Sequence, residues 1–295
     1  MDIGIVTPSL KSKGTNLIFK AFKKHAVNVK KIKISSLSLD LTAEDDVIQS
    51  LFHRRFGNVV PDGIISRGIG IRKTKKIFFR VDLYRAMEIL GLNVINSPKC
   101  LELATNKMLC SVMLRKSKIP TPETLVCEND KIALNAFKLL GGDVLLKPMY
   151  GSKGIGITRI QDAGFAEYIF YSLSKLDETF YLQKFYPHNH RDIRVFIVGN
   201  EVVAAMERVG DNWKTNLAKG GIAKAATLNS ELEELAIKSS EAVDAKVSGI
   251  DIIDTESGYM VIEVNAIPGL SGIQKTTKVN IADTIADFCI KQFRR

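Results

Sequence analysis

The stretch Gly249-Ile-Asp251-Ile-Ile-Asp254-Thr-Glu-Ser-Gly258-Tyr-Met-Val-Ile-Glu263-Val-Asn265-Ala-Ile-Pro268-Gly269 decides the reading of the fold. Two β-rich segments flank a polar turn, which is the pattern of an antiparallel hairpin. Side chains alternate across a strand, so Glu263 and Asn265 share one face. A four-residue turn at 255–258 brings Asp251 within about a residue of lying opposite Glu263. Carboxylate and amide oxygens therefore converge. These are the ligands that a hard divalent cation such as Mg²⁺ takes, with water and substrate phosphates completing its shell. A solvated hairpin face also carries Asp, Glu and Asn; here Glu263 and Asn265 interrupt an apolar strand that runs into a Pro-Gly turn, which favours a site.

At 295 residues the chain is long for one compact unit, and two or three lobes are expected. A content of 45% hydrophobic and 25% charged residues is that of a folded soluble protein. No stretch reaches the roughly 18 apolar residues of a membrane helix, and the opening Met1-Asp2-Ile-Gly-Ile-Val6 lacks a signal-peptide layout, so a cytoplasmic location is expected. Cys100, Cys110, Cys127 and Cys289 are widely spaced, with no C-x-x-C pair; this predicts reduced, mostly buried thiols and no zinc site or disulfide framework.

The balance of 42 Lys+Arg against 32 Asp+Glu, a net +10, is compatible with nucleic acid or with anionic small molecules as partners. The basic clusters are short, aromatics are only 7%, and no zinc finger, RNA-recognition signature or basic zipper is present. Most of these lysines read as solvated surface. Arg72–Lys76 is the exception, because it follows Ser66-Arg67-Gly68-Ile-Gly70 after an expected strand and is placed to line a site.

Residues 1–95 alternate short apolar strands (3–6, 27–34, 63–65, 93–95) with helical patterns at about 15–25, 43–56 and 79–90, a βαβ rhythm that predicts a small parallel sheet. No G-x-G-x-x-G opens the first helix. One helix is expected over 98–116, ended by Ile119-Pro120-Thr-Pro122. Strands near 124–127, 144–147, 155–160, 180–186, 193–198 and 201–208 follow, with helices near 130–140 and 163–175. A helix from 230, capped by Ser230 with Glu233, precedes the hairpin, and a helix at 280–293 closes the chain.

A second chemical element is Lys147-Pro-Met-Tyr-Gly151-Ser152-Lys153-Gly154-Ile-Gly156. Its glycines let backbone N–H groups turn toward an anion, and Lys147 adds a charge. It is not a Walker A loop, and many hairpins are equally glycine-rich. Ser152 has no nucleophile elbow or positioned histidine around it. A third element, Arg191-Asp192-Ile-Arg194 through Glu207-Arg208, puts Asp192 and Arg194 on one strand face and returns through a turn to place Arg208 at its far end; Trp213-Lys214-Thr-Asn216 adds donors. Such a cluster near a metal triad favours phosphate binding. His188-x-His190 lacks a third ligand nearby and reads as a loop position, not zinc.

Together these residues resemble the ATP-grasp superfamily and, within it, the RimK-like amino-acid ligases. The resemblance runs from Asn106-Lys107 to the end: the Lys-Pro-x-x-Gly-Ser-x-Gly-Ile-Gly-Ile loop, Asp192-Ile-Arg194, Gly249-Ile-Asp251-Ile, Glu263-Val-Asn265-Ala-x-Pro268-Gly269-Leu and Ile273-Gln-Lys-Thr-Thr277. It implies an α/β (α+β) ATP-grasp fold: a pre-ATP-grasp lobe at 1–97, a central lid lobe at 98–183 and a metal- and ATP-binding lobe at 184–295. It assigns Lys107 and Lys147 to phosphates along with the loop residues Gly151, Ser152 and Gly154. Gln183, Lys184, Phe185 and Tyr186 become the adenine hinge, with Asp192 and Lys214 also on nucleotide. Arg208 and Asn216 fall beside the transferred phosphate, and Asp251, Glu263 and Asn265 on two Mg²⁺ (or Mn²⁺) ions. The hinge commonly reads Gln-Glu-aromatic but here is Gln183-Lys184-Phe185; if adenine is read through backbone, ATP binding is expected to survive.

The resemblance further implies activation of a carboxylate by ATP to an acylphosphate, with release of ADP, and amide formation with an amine, most simply L-glutamate. The acceptor is an anionic small molecule or a protein C-terminus. The N-terminal lobe, with Arg80-Val-Asp82 opening a helix and Ile95-Asn96-Ser-Pro98, resembles the archaeal pterin-coenzyme glutamyl ligases. No membrane or nucleic-acid partner is implied. The competing class is an ATP-sensing or nucleic-acid-binding protein that uses the same fold without ligation, and a homo-oligomer stays open.

Overall fold

The computed structural model describes residues 1–42, 60–70, 74–151, 154–215 and 220–294. The expected helix at 43–56, Arg72 and Lys73, Ser152 and Lys153, and Asn216 lie outside the described residues. Four strands, β1 (Asp2–Thr7), β2 (Asn28–Lys33), β3 (Gly63–Ser66) and β4 (Asn93–Ile95), form a parallel sheet of order β2-β1-β3-β4. A small parallel sheet is what the βαβ rhythm predicts. Helix α1 (Lys13–Phe22) is capped by Ser12, and α2 (Thr74–Ile89) begins five residues earlier than the expected 79. Arg80 therefore sits inside α2, where it is buried and donates to the carbonyl of Ile69, and does not open a helix.

The expected single helix over 98–116 is two, α3 (Pro98–Thr105) and α4 (Lys107–Lys116). Asn106 breaks them with φ −88° and ψ 109°, and its side chain accepts the amide N–H groups of Met108 and Leu109. A short polar side chain that bonds its own downstream amides ends one helix and starts the next.

The second sheet is antiparallel, of order β5-β8-β6-β7, built from β5 (Thr124–Cys127), β6 (Val144–Lys147), β7 (Thr158–Ile160) and β8 (Phe180–Lys184). Helices α5 (Asp130–Leu139) and α6 (Ala163–Ser174) cover it over a core that includes Phe137, Phe170 and Phe180. The third sheet has order β11-β10-β9-β12-β13, from β9 (Arg191–Val198), β10 (Glu201–Val209), β11 (Ile222–Ala225), β12 (Val247–Thr255) and β13 (Gly258–Asn265). Neither β11 nor α8 (Ser271–Thr277) was expected from the periodicity. Helix α7 (Ser230–Ala242) is capped by Asn229, one residue before the expected Ser230.

The last helix, α9 (Ile281–Phe293), buries Ile281, Ala282, Ile285, Ala286, Cys289, Ile290 and Phe293, one continuous helical stripe. Phe293 closes against Gly63, where a Cβ would lie 2.3 Å from the ring, so glycine is required in β3 by this close approach. Two hydrophobic cores each combine residues of the first and third sheets: Val6 and Ile64 with Val195 and Ile250 in one, Ile3 and Ile5 with Phe196 and Val247 in the other. All four cysteines are free thiols, and Cys100, Cys110 and Cys289 are buried. No helix among the described residues is long and apolar enough to cross a membrane.

Candidate active site

A cleft of about 920 Å³, counting its open mouth, lies between the second and third sheets. From one wall it gathers Lys107, Lys147, Gly151 and Gly154, from the hinge Gln183 to Tyr186, and from the other wall Asp192, Arg208, Lys214, Asp251 and Glu263. Asn265 lines a second cavity, which shares Glu263 and Gly151 with the first. Lys75 and Lys76, the described members of the Arg72–Lys76 cluster, are exposed and line neither.

Lys147 ends β6 and points into the cleft, buried, with Nζ donating to Gln183 Oε1 at 2.5 Å. Burial brings its ammonium down to about 8, Glu263 working against the fall. Lys107 stands at the start of α4, and its Nζ reaches the Gly151 carbonyl at 3.4 Å. Two cations thus flank the glycine-rich turn, as a polyphosphate requires.

In the hinge, the amides of Lys184 and Phe185 are spent on the carbonyls of Glu123 and Asp143. Tyr186 N–H has no backbone partner among the described residues and is the hinge amide left for a ligand. The Lys184 side chain turns outward to Glu123 Oε2 at 2.7 Å. The lysine in place of the common glutamate therefore does not block the cleft. Phe185 is held by the Arg159 guanidinium 3.6 Å above its ring centroid and by the edge of Trp213 at 6.2 Å. Leu145, Ile155, Ile253 and Ile262 add apolar walls suited to a flat base.

The floor is a buried ionic lattice across β10, β9 and β12. Register pairs Arg208 with Asp192 and Asp251 with Arg194. Arg208 donates to Asp192 from Nε at 2.6 Å and from Nη2 at 2.7 Å, and reaches Asp251 at 3.0 Å; Arg194 grips Asp251 at 2.7 and 2.5 Å. The Thr215 hydroxyl also donates to Asp192. Burial opposes the Arg208 charge, but Asp251 and Asp192 outweigh it and raise its pKa. Burial likewise opposes ionised Asp251, and Arg194 followed by Arg208 outweighs it, so that carboxyl stays below the usual range. As placed, Asp192 holds Arg208 in position, and both oxygens of Asp251 are occupied.

Glu263 differs. Its carboxylate forms no ion pair and accepts no hydrogen bond among the described residues, although it lies in the cleft beside Lys147. A β-bulge between Asp251 and Ile252 shifts the pairing so that Asp251 lies directly opposite Glu263, and the extra residue Ile262 faces the cleft with it. Asn265 Nδ2 donates to the Gly249 carbonyl at 3.3 Å and lies 3.5 Å from Asp251 Oδ2. An unpartnered carboxylate in a cationic cleft is the donor best fitted to a divalent ion, with Asn265 next along the strand; Asp251 joins only if an arginine yields. No group of three or more His, Cys, Asp and Glu side chains gathers among the described residues to hold a metal, at the hairpin or away from it. His188 sits in the loop after β8, its Nδ1 within 2.9 Å of the Arg191 carbonyl.

A cleft between two antiparallel sheets, with a lysine pair above and a carboxylate hairpin below, is a nucleotide-clamping arrangement. Residues 104–289 match the RimK-like ATP-grasp domain. The chain belongs to the RimK-like ATP-grasp family. It is 33% identical to the tetrahydromethanopterin:alpha-L-glutamate ligase of Methanocaldococcus jannaschii over 99% of both chains. It is 32% identical to the ribosomal protein bS6–L-glutamate ligase of Salmonella paratyphi B, over 72% of this chain and 76% of that one. Among solved structures, the ATP-grasp ligase PsnB with a phosphomimetic precursor variant, Mg and ADP superposes with a TM-score of 0.76 at 18% identity, covering 99% of this chain and 98% of that one.

Trp213 and Thr215 also line the cleft, and Arg194 and Arg159 support it from behind, through Asp251 and Phe185; Thr215 and Arg159 were given no role in the sequence reading. Arg194 carried a signal, since it alternates with Asp192 along one strand. Arg159 carried none, because its approach to Phe185 depends on the pairing of β7 with β6.

Proposed function

We propose that the chain is an ATP-dependent, ADP-forming carboxylate–amine ligase that adds L-glutamate to an acid acceptor. The observation that carries this reading is the unpartnered Glu263 carboxylate in the same cleft as Lys107, Lys147 and buried Arg208. Lys107, Lys147 and the glycine turn hold the triphosphate, and the hinge at Gln183 to Tyr186 holds the base. Asp192 and Thr215 fix Arg208 toward the transferring phosphoryl group. Glu263 and Asn265 would hold Mg²⁺ or Mn²⁺, two ions in this reading, joined by Asp251 once Arg194 or Arg208 releases one of its oxygens, and the metal would supply charge neutralisation for the phosphates. The acceptor carboxylate oxygen attacks the γ-phosphorus, the bond to the ADP oxygen breaks, and an acylphosphate forms. The amine then attacks the acyl carbon, the C–N bond forms, phosphate leaves with the C–O bond, and the amine proton passes to solvent. No protein nucleophile is needed; positioning and electrostatics carry the rate.

Similarity over the full length to the tetrahydromethanopterin ligase favours a coenzyme acceptor over a protein C-terminus. The lobes proposed for this work are 1–97, 98–183 and 184–295, with Cys100, Leu101, Cys110 and Leu114 of the second packed into a core it shares with the other two, and the ATP requirement suits the cytoplasm. With acceptor and Mg·ATP present and the amine omitted, hydroxylamine is expected to trap an acceptor hydroxamate together with ADP. AMP and pyrophosphate in its place overturn the mechanism, and ADP without hydroxamate indicates an ATP-sensing or ATPase role.

A further inference from the structure

Arg159 lies on β7 and does not line the cleft, yet it holds the hinge residue Phe185, which does. Its Nε and Nη2 donate to the two carboxylate oxygens of Asp143 at 2.8 and 2.5 Å, a paired fork, and Gln161 Nε2 adds a donor to the same carboxylate at 3.2 Å. The backbone carbonyl of Asp143 accepts the Phe185 amide at 2.9 Å. The Arg159 guanidinium carbon lies over the Phe185 ring, 3.6 Å from its centroid. Phe185, Asp143 and Arg159 therefore close a ring of contacts: amide to carbonyl, carboxylate to guanidinium, guanidinium to aromatic face. Trp213 and His188 flank the same phenyl ring, with centroids at 6.2 and 6.0 Å. The next amide along the chain is Tyr186 N–H, the hinge amide left without a backbone partner among the described residues. It belongs to the rigid peptide plane that begins at Phe185, so holding Phe185 by both its amide and its side chain sets where that N–H points.

We infer that Arg159 is a positioning residue for the nucleotide base: it acts through Phe185 and Asp143 to fix the Tyr186 amide and the cleft-facing phenyl ring, and does not itself touch the nucleotide. This role rests on the reading that Gln183 to Tyr186 hold the base, and deepens it. A hinge ordered before the ligand arrives binds more tightly than one the ligand must order. Arginine suits the position because its planar head forks onto a carboxylate while lying over a ring; a lysine ammonium is a point charge that reproduces neither geometry in full.

The test is calorimetric titration of the full chain with Mg·ADP, and displacement of that ADP by Mg·tripolyphosphate, which carries the phosphate charges without a base. Arg159→Met is expected to weaken ADP by roughly 3- to 30-fold, the range of a cation–π contact, and to leave tripolyphosphate within about twofold of the wild type. A general loss of structure would weaken both ligands alike. Arg159→Lys should fall between the wild type and Arg159→Met. Asp143→Asn keeps the carbonyl that Phe185 uses and should repeat part of the loss, and the double variant should lose no more than Arg159→Met alone, because the residues act as one unit. If Arg159→Met does not fold, Arg159→Lys and Asp143→Asn decide in its place. ADP affinity unchanged in the variants, or an equal loss for the two ligands, overturns the inference. A wild type that holds ADP no tighter than tripolyphosphate overturns it at a different point, by removing the base site at the hinge; because no turnover is read, both failures are separable from the outcome of the hydroxamate experiment.

Discussion

Lys147 is the residue at which burial and ligand binding oppose each other most directly. Its exposure is 7%, and burial brings its ammonium from 10.5 to about 8. Below pH 8 it is protonated in both folded and unfolded chains, and the buried charge costs the native state on the order of 3 kcal/mol. Between about pH 8 and 10.5 the unfolded chain binds the extra proton, so this group makes stability rise with pH across that window. Nucleotide phosphates reverse the balance, because they favour the ammonium; above about pH 8, ATP binding must take up a proton. Calorimetric titrations should therefore give a dissociation constant that is level near neutrality and climbs toward about tenfold per pH unit beyond 8. Lys147→Met should flatten that profile, weaken ATP by roughly 10- to 100-fold at pH 7 and raise the melting temperature of the free protein. A profile unchanged by the substitution would remove Lys147 from the phosphate site.

At the scale of elements, β9, β10 and β12 are cross-linked by Asp192, Arg194, Arg208 and Asp251, whereas Glu263 on β13 stands outside the lattice. Asp251→Asn removes the charge that answers two arginines and should cost about 3–5 kcal/mol in urea unfolding with EDTA present. The Asp251 contribution is complete above the ordinary carboxylate range and is lost as pH falls through its depressed value. Glu263→Gln, by contrast, should leave unfolding within about 0.5 kcal/mol and lower turnover by roughly 10²- to 10⁴-fold. Equal destabilisation by the two changes would refute the division between lattice and ligand. The hairpin and the shared face of Glu263 and Asn265 were legible in the sequence, because strand alternation and a polar turn are local signals. The bulge at Ile262 was not, since it depends on how β13 pairs with β12. The Arg194–Asp251 pair was not legible either, since it depends on β9 lying between β10 and β12. Asn106 was hidden for another reason: in a helical pattern, an asparagine that caps and one that is merely tolerated look alike. Asn106→Ala should cost about 1 kcal/mol and raise the KM for ATP, because the cap that starts α4 also sets the position of Lys107. Chemical denaturation and steady-state kinetics read the two effects separately.

For the whole molecule, the division of its cores decides how it comes apart and how nucleotide holds it together. The first and third sheets share both of the larger cores, while the core of the second sheet, all between residues 133 and 182, is separate from them. The parallel sheet was foreseeable from the βαβ rhythm of residues 1–95, but its fusion with a sheet that begins a hundred residues later was not, because shared cores leave no local pattern. The joints of the second sheet to the rest include polar contacts, Asn106 Nδ2 to Tyr150 at 3.0 Å, Ser111 to Tyr181 at 2.7 Å and Lys214 Nζ to the Ile157 carbonyl at 2.9 Å, beside the packing of Tyr150 on Phe78. A unit with its own small core and polar joints opens at lower free energy than a body fused by two cores. Hydrogen exchange of the free protein should then report residues 130–182 exchanging through a sub-global opening, while β9, β10 and β12 exchange only on global unfolding. Mg·ATP contacts both sides of the cleft at once in the proposed reading, so it must raise the cost of that opening, by about 2.7 kcal/mol at a ligand concentration one hundred times its dissociation constant. The second sheet should gain protection up to that limit and approach the stability of the body. Uniform exchange across all three sheets in the free protein, or protection by Mg·ATP confined to the third sheet, would show that the second sheet is not a separately opening lid.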